Sequence, residues 1–598
     1  MAGVRVRLLG RPAVEAGDGA PPAHPRGRKT WALLARIALA DRPVARAELA
    51  HALFPEADDP LGALRWSLAD LRRALGSPDV ARGDPLSVDR AALELDVWDL
   101  EDGVLPPAPG ALLDGVDLRD CPDFDGWLVL ARARCEHRLR EALRAATLGA
   151  LSEGDLPAAL DVAERAARLD PLDEAAQELF LRTLVAAGRP AVAAAHLAVC
   201  ERAFAREGLP LSPAVRLAAA VRAARPSNGI RAGIAAASLL QAGTAALAAG
   251  AADGGVETLR RAADDAARAG DPGLHAEVLA ALGAALVHAV RGADGEGAVV
   301  LHQALHAARV AGRDALAADV LRELAFVDLQ AGRHGSASRA LDEAVDVATP
   351  LGDDALEARI LAVQGMNEAD LGHHAAGAAL LERSAETAGR AGADRQRVWS
   401  LGVLARSLLL LDRVDDARAA AAASMAGARA QRWNAYLPWP QALHAECDAR
   451  RGDWRTAEAD AEAAFALACE LGDPCWEGMA ARALGLIAVH GGDPEAGWSW
   501  TLDARVRCDR VPDRYVWVSG YVGLAQLEIT RRTDPAALPD LAARLHAEAL
   551  RDDLPEFQAW AAVHAAEAGH RASAGIARAA ATGVDSPGLH RRIRALRA

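Results

Sequence analysis

Turn residues recur through the last two thirds of this chain at a spacing that leaves little choice of architecture. One set stands at Gly250, Gly292, Gly332, Gly372, Asp412, Gly452 and Gly492, and a second at Gly270, Gly312, Gly352, Gly392, Gly472 and Pro512. Each set repeats about every 40 residues, and the two are offset by about 20, which fits two helices and two turns per repeat. Arg432 breaks the second set. A helical hairpin of this size cannot bury its apolar face alone, so neighbours must stack into a superhelix with a concave face. About six or seven stacked hairpins are expected over residues 233–598.

Composition agrees with a helical chain built on small side chains. Of the 598 residues, 52% are hydrophobic and only 4% aromatic. That balance excludes disorder over most of the chain and disfavours a β-sandwich, which wants aromatic and β-branched residues. The formal charge of −15 argues against a protein that simply coats nucleic acid or acidic membranes. Seven scattered cysteines form no CxxC pair, so neither a disulfide framework nor a zinc site is expected, and the expected location is cytoplasmic. The opening MAGVRVRLLG lacks the apolar run of a signal peptide. Residues 233–252 carry no charge, but Ala, Gly, Ser238, Gln241 and Thr244 make their transfer to lipid weakly favourable at best. A closely packed helix is expected there, and no membrane partner.

Residues 1–103 differ from the rest. Val4 to Arg7 alternates apolar and charged residues as a strand does, and three helical patterns follow at 29–40, 45–54 and 60–76. The third starts after Asp58–Asp59 with Pro60 at a helix-start position. Residues 86–88 and 92–95 read as a β-hairpin. Short strands, three helices and a closing hairpin give the order of a winged helix. A Pro/Gly-rich joint at 105–110 leads to a helix over 125–148. A segment of tetratricopeptide character follows, with Gly188 about 34 residues after Gly154. Residues 225–229 read as a linker into the repeat array.

Catalytic signatures are missing: no GxxxxGK[ST] phosphate loop, HExxH or GxSxG occurs. No enzyme activity, cofactor or metal is expected. His373–His374 follows the Gly372 turn without ligand-spaced neighbours and is expected to be solvated. Asp114, Asp117, Asp120, Asp123 and Asp125 lack the order of a calcium loop and precede a helix, where they would cap free N–H groups. The informative element is the third helix. Leu61, Leu64, Leu68, Leu71 and Leu75 define a buried stripe. The opposite face carries Gly62, Trp66, Ala69 and Arg73, with Asp70 beside them and Arg65 and Arg72 on the flank.

These residues resemble a known family, the transcription regulators of the antibiotic regulatory protein (SARP) type. Those join an OmpR-like winged helix to a bacterial transcriptional activator domain of tetratricopeptide-like helices. VRLLGRPAV, PRGRKTWALLARIAL, RAELAHALFPEAD and ALRWSLADLRRALG resemble the DNA-binding half. GDLPAALDVAERAARLDPLDEAA and EGLPLSPAVRLAA, with Trp127, resemble the activator half. Some members insert an ATPase domain before a repeat array; here no phosphate loop intervenes. Where family members tend to carry a polar residue such as Gln and an Arg on the exposed third-helix face, this chain has Trp66 and Asp70, and Asp70 would face phosphates unless Arg73 neutralised it.

The resulting expectation is a mainly α chain in three parts: an OmpR-like winged helix at 1–103, an activator domain at 110–225 and a long α-solenoid at 233–598. The resemblance implies binding to double-stranded promoter DNA, as a homodimer in some arrangements, and recruitment of RNA polymerase. Arg65, Trp66, Arg72 and Arg73 are the third-helix contacts, and Arg26, Arg28, Lys29 and Arg46 lie on the DNA backbone. The array would take a protein, peptide or small effector. The alternative is a tetratricopeptide-like adaptor whose winged helix has lost DNA binding. The first 100 residues hold 14 basic and 14 acidic side chains, so the whole negative charge lies in the helical remainder.

Overall fold

The computed structural model describes residues 4–15, 24–40, 42–76, 80–90, 93–107, 109–118, 120–220, 229–511, 513–570 and 573–596. It divides into two compact units, residues 1–150 with 155–220, and residues 221–598 with 151–154. The expected linker at 225–229 falls, apart from Gly229, outside the described residues.

The first unit begins with strands β1 (Val4–Arg7) and β2 (Ala13–Glu15), then helices α1 (Arg28–Ala38), α2 (Arg46–Leu53) and α3 (Pro60–Ala74). Strands β3 (Ala81–Arg82), β4 (Ser87–Val88) and β5 (Leu93–Leu95) follow, and helix α4 (Asp96–Glu101). The hairpin differs from expectation. β4 pairs with β3, matching Ala81 to Val88, whereas β5 runs parallel to β1 in a sheet of order β2–β1–β5. The cause is burial: Leu93 and Leu95 alternate towards the core beside Val6, while Val80, Ala81 and Leu86 are buried and fix the β3–β4 hairpin. The main chain of Leu86 also exchanges two hydrogen bonds with Val44 at 2.7 and 2.8 Å.

One core runs from these strands through α1–α3 into helix α5 (Pro122–Glu153), taking in Leu33, Leu64, Leu95, Phe124, Leu139 and Leu143. The joint at 105–110 therefore connects elements that share a core. Buried Asp96 ties the two ends of the strand region, accepting the Leu8 and Leu9 N–H groups at 2.8 Å each. Asp123 and Asp125 lie in the first turn of α5, where the helix dipole favours acid. Helices α6 (Leu156–Leu169), α7 (Glu174–Ala186), α8 (Pro190–Arg206) and α9 (Pro213–Ala218) complete the unit around Phe180, Leu184, Cys200 and Phe204.

The second unit is helical throughout its described residues. Its hairpins are α10–α11 (Gly229–Ala248, Ala252–Ala269), α12–α13 (Pro272–His288, Asp294–Val310), α14–α15 (Asp314–Gln330, His334–Ala348), α16–α17 (Asp354–Asp370, His374–Arg390) and α18–α19 (Asp394–Leu410, Val414–Ala430). The series continues as α20–α21 (Pro438–Arg451, Trp454–Leu471), α22–α23 (Pro474–His490, Pro494–Cys508), α24–α25 (Val516–Thr533, Leu538–Arg551) and α26–α27 (Pro555–Glu567, Ser573–Ala580), closed by α28 (Pro587–Ala595). This exceeds the expected number of hairpins, because the last turns are made by residues outside the regular glycine series, such as Asp553 and Gly569.

The turn positions share one backbone state. Gly250 to Gly492 in both sets have positive φ, and Asp412 (φ 60°) and Arg432 (φ 53°) adopt it as well. Arg432, out of place in the sequence pattern, is thus a regular turn built without glycine. Pro512 lies outside the described residues. Helix α10 is long and apolar enough by length and composition to cross a membrane, and it packs closely along one face, where Gly243 comes up against Gly255 of α11. Only one face, through Ala232, Ala236 and Gly243, is buried, while Ile230 and Ile234 are exposed.

The array winds tightly enough for residues far apart in sequence to meet. Arg291 pairs with Asp473, 182 residues on, and His374 Nε2 lies 2.8 Å from Glu556, also 182 residues on. At about 40 residues per hairpin, one superhelical turn takes about 4.5 hairpins. Two helices with no side-chain cap of their own are capped across that turn. Asp585 accepts the N–H groups of His374 and Ala375 at 2.6 and 2.8 Å, and Asp513 accepts that of Asp294 at 2.9 Å. His374 is therefore fully buried, contrary to the solvated position expected; His373 is part-exposed and bonds Glu368 at 2.8 Å.

Candidate nucleic-acid interface

Helix α3 starts where its sequence dictates. Asp59 accepts the Gly62 N–H at 2.8 Å and Pro60 opens the first turn. Leu64, Leu68, Leu71 and Leu75 are buried, but Leu61 is 45% exposed, so the apolar stripe begins one turn later than expected. The outward face carries Leu61, Arg65, Trp66, Ala69 and Arg73, with Trp66 70% exposed.

Asp70 does not belong to that face. It is 5% exposed and turned inward, where its carboxylate accepts the Arg26 N–H at 2.8 Å and the Thr30 hydroxyl at 3.3 Å and pairs with Arg73. Burial alone would raise its pKa. The Arg26 N–H, the Arg73 guanidinium and the Thr30 hydroxyl outweigh that and hold it below the ordinary value. Rather than opposing DNA, this acid fastens the start of α1 to α3.

The arginines divide by what they already hold. Arg65 reaches back to Asp59 at 3.3 Å, with both side chains exposed, an ion pair worth little and easily exchanged. Arg73 is half-exposed beside Asp70. Arg72 does not point outward: it donates to the Ala81 carbonyl at 2.5 Å and so clamps the β3–β4 hairpin onto the helix. Arg46 likewise donates to the Gly83 carbonyl at 3.0 Å, supporting the tip of that hairpin. Of the residues before and in α1, Arg26 and Arg28 are exposed, Arg28 reaching the Asp117 carbonyl at 3.4 Å, while Lys29 is half-buried with its ammonium 5.0 Å from the centre of the Phe54 ring. The structure thus gathers Arg65, Trp66 and Arg73 on one face and gives Arg72 and Arg46 positioning roles.

Sequence reasoning expected a concave binding face in the array but named no residue of its interior. A cavity of about 480 Å³ opens there between α20, α22, α24 and the C-terminal helices, walled by Trp454 and Trp560. Its floor is a buried charged cluster. Glu446 takes Arg482 at 2.7 Å, Arg450 at 2.9 Å and the Tyr521 hydroxyl at 2.9 Å, and the Arg482 guanidinium lies 3.2 Å from the centre of the Tyr521 ring. Burial works against the Glu446 charge, but the two arginines more than compensate and bring its pKa down to about 2. A second cluster joins Arg406 to Asp370 at 2.7 Å, with the Tyr515 hydroxyl donating to Asp370 at 2.8 Å. The one signal in the sequence is a charged residue inside an otherwise apolar helix, as at Arg406 in SLGVLARSLLL.

No protein family's sequence model matches the chain, and no curated protein sequence matches it. Among solved structures, it is similar to a Rap protein complexed with competence and sporulation factor, at 10% identity and a TM-score of 0.38, covering 61% of this chain and 98% of that one. It is also similar to a STAND protein with a tetratricopeptide repeat sensor from Pyrococcus horikoshii, at 8% identity, a TM-score of 0.36 and coverage of 88% and 64%. Yeast Tom70 matches at 12% identity with a TM-score of 0.31, covering 79% and 95%. Likenesses at this level carry no argument; the tetratricopeptide-like class rests on the hairpins and turns described above.

Proposed function

We propose that the chain is a non-enzymatic, cytoplasmic transcription regulator of the antibiotic regulatory protein type. The outward face of α3 reads double-stranded promoter DNA, as one of a homodimeric pair, and recruitment of RNA polymerase follows. The array takes a protein, peptide or small effector in its interior and so governs the N-terminal unit. The observation that carries this reading is the burial of Asp70: its carboxylate is turned off the face that holds Arg65, Trp66 and Arg73 and meets that face only through its pair with Arg73, while the Asp59 partner of Arg65 is exposed and exchangeable. Arginine on such a face bonds guanine edges or phosphates, Arg26 and Arg28 suit phosphates, and Arg72 and Arg46 hold the hairpin that flanks the duplex.

The test is DNA selection from a random duplex library with the full-length protein, followed by gel-shift titration over a salt series. Affinity is expected to fall steeply with salt, and Arg73→Ala to weaken binding by about 1–3 kcal/mol. Absence of retardation on any duplex at low salt would overturn the reading. The adaptor reading has one observation in its favour: Leu61 and Trp66 together expose apolar surface on α3. Under it, Trp66→Ala abolishes capture of a protein partner while DNA is never retained.

A further inference from the structure

We propose that His444, Asp448 and Asp460 form a binding site for a divalent metal ion of the zinc class, which fastens helix α20 to helix α21. No metal is expected from the sequence, because two ligands one turn apart on one helix and a third on the next match none of the common zinc spacings. The fold brings them together. His444 and Asp448 stand on the same face of α20, and α21 carries Asp460 against them. His444 Nδ1 lies 2.9 Å from Asp460 Oδ2 and 3.4 Å from Asp448 Oδ2, and ligand atoms from all three residues fall within 4.8 Å of one another.

Proton counting shows why this is more than a hydrogen-bonded histidine. The imidazole Nδ1 carries at most one proton, and the shorter contact directs it to Asp460. Asp448 Oδ2 then faces nitrogen with nothing to accept. Asp448 is 1% exposed, and no hydrogen bond reaches that oxygen. A buried carboxylate oxygen left in this state is costly. A cation between the three atoms would satisfy all of them, with neutral imidazole and two carboxylates as its ligands. Zinc bonds of about 2.0–2.2 Å in a tetrahedron place ligand atoms roughly 3.3–3.6 Å apart, near the 2.9 and 3.4 Å that separate the two carboxylate oxygens from the imidazole nitrogen.

The surroundings fit as well. Arg418 holds the other Asp448 oxygen, as an outer partner that orients a metal ligand does. Asp460 is half-buried, which leaves an entry path and a fourth position for water.

Full-length protein, stripped with a chelator and dialysed, is titrated with Zn²⁺ in competition with a chromophoric chelator, and separately with Co²⁺ by absorption. One equivalent is expected to bind, zinc to raise the midpoint of thermal unfolding, and His444→Gln and Asp460→Asn each to weaken affinity tenfold or more. The cobalt complex should show d–d bands without a thiolate charge-transfer band. Three results would overturn the proposal: no stoichiometric binding by the folded wild type, affinity unchanged in both variants, or a thiolate band placing the ion on cysteine. Asp460 is the most exposed of the three ligands, so Asp460→Asn decides the matter if His444→Gln does not fold.

Discussion

Glu446 gives the sharpest test of how the array interior is held. Glu446→Gln keeps the shape of the side chain and removes its charge, leaving Arg482, whose side chain is 5% exposed, without a counter-ion. Removing one partner of a buried pair costs about 3–5 kcal/mol. Linkage gives an independent figure. The carboxyl titrates at about 2 in the folded chain against an ordinary 4.5, a difference worth about 3 kcal/mol at neutral pH. Its folded pKa is depressed, so the stabilisation is complete above the unfolded pKa and is lost as pH falls towards the folded one. At pH 3 the same two values leave less than half of it. Urea unfolding of the array, followed by circular dichroism, should therefore show a gap of about 3 kcal/mol between wild type and variant at pH 7 that closes by more than half at pH 3. A gap below about 1 kcal/mol at pH 7, or one that does not shrink in acid, would refute the reasoning.

Arg432→Gly should stabilise the array by about 1 kcal/mol, because glycine adopts the left-handed turn conformation without the strain a side chain brings there; a shift in urea midpoint checks it. Gly312→Ala and Gly332→Ala should separate in the same assay. Both have positive φ, but a Cβ at Gly312 meets open space while one at Gly332 comes within 2.6 Å of the Asp552 carbonyl oxygen, so the first should cost about 1 kcal/mol and the second roughly 2–3. Asp70→Ala should destabilise the N-terminal unit by about 1–3 kcal/mol, since the Arg26 N–H and the Thr30 hydroxyl lose their acceptor; thermal unfolding of the full chain followed at that unit's transition measures it.

The helical hairpin is a local object, and the chain writes it locally. A turn residue about every 20 positions, small residues at close contacts and apolar faces at helical spacing determine where α10–α23 begin and end. The same holds for α3, whose Asp59 and Pro60 start it as expected. Even Arg432, which broke the pattern, takes the turn conformation, because the two helices it joins impose it. Pairings over long separations were not legible. The partners of β5, the inward turn of Asp70 onto Arg26 and Thr30, the burial of His374 on Glu556, and the approach of Asp460 to His444 all depend on how packed elements rotate and wind relative to one another. A charged residue reads the same in sequence whether it faces water or a partner 182 residues away. Periodicity fixes which face of a helix is apolar; only the superhelical pitch, set by side-chain packing summed over several hairpins, decides which polar groups that face meets.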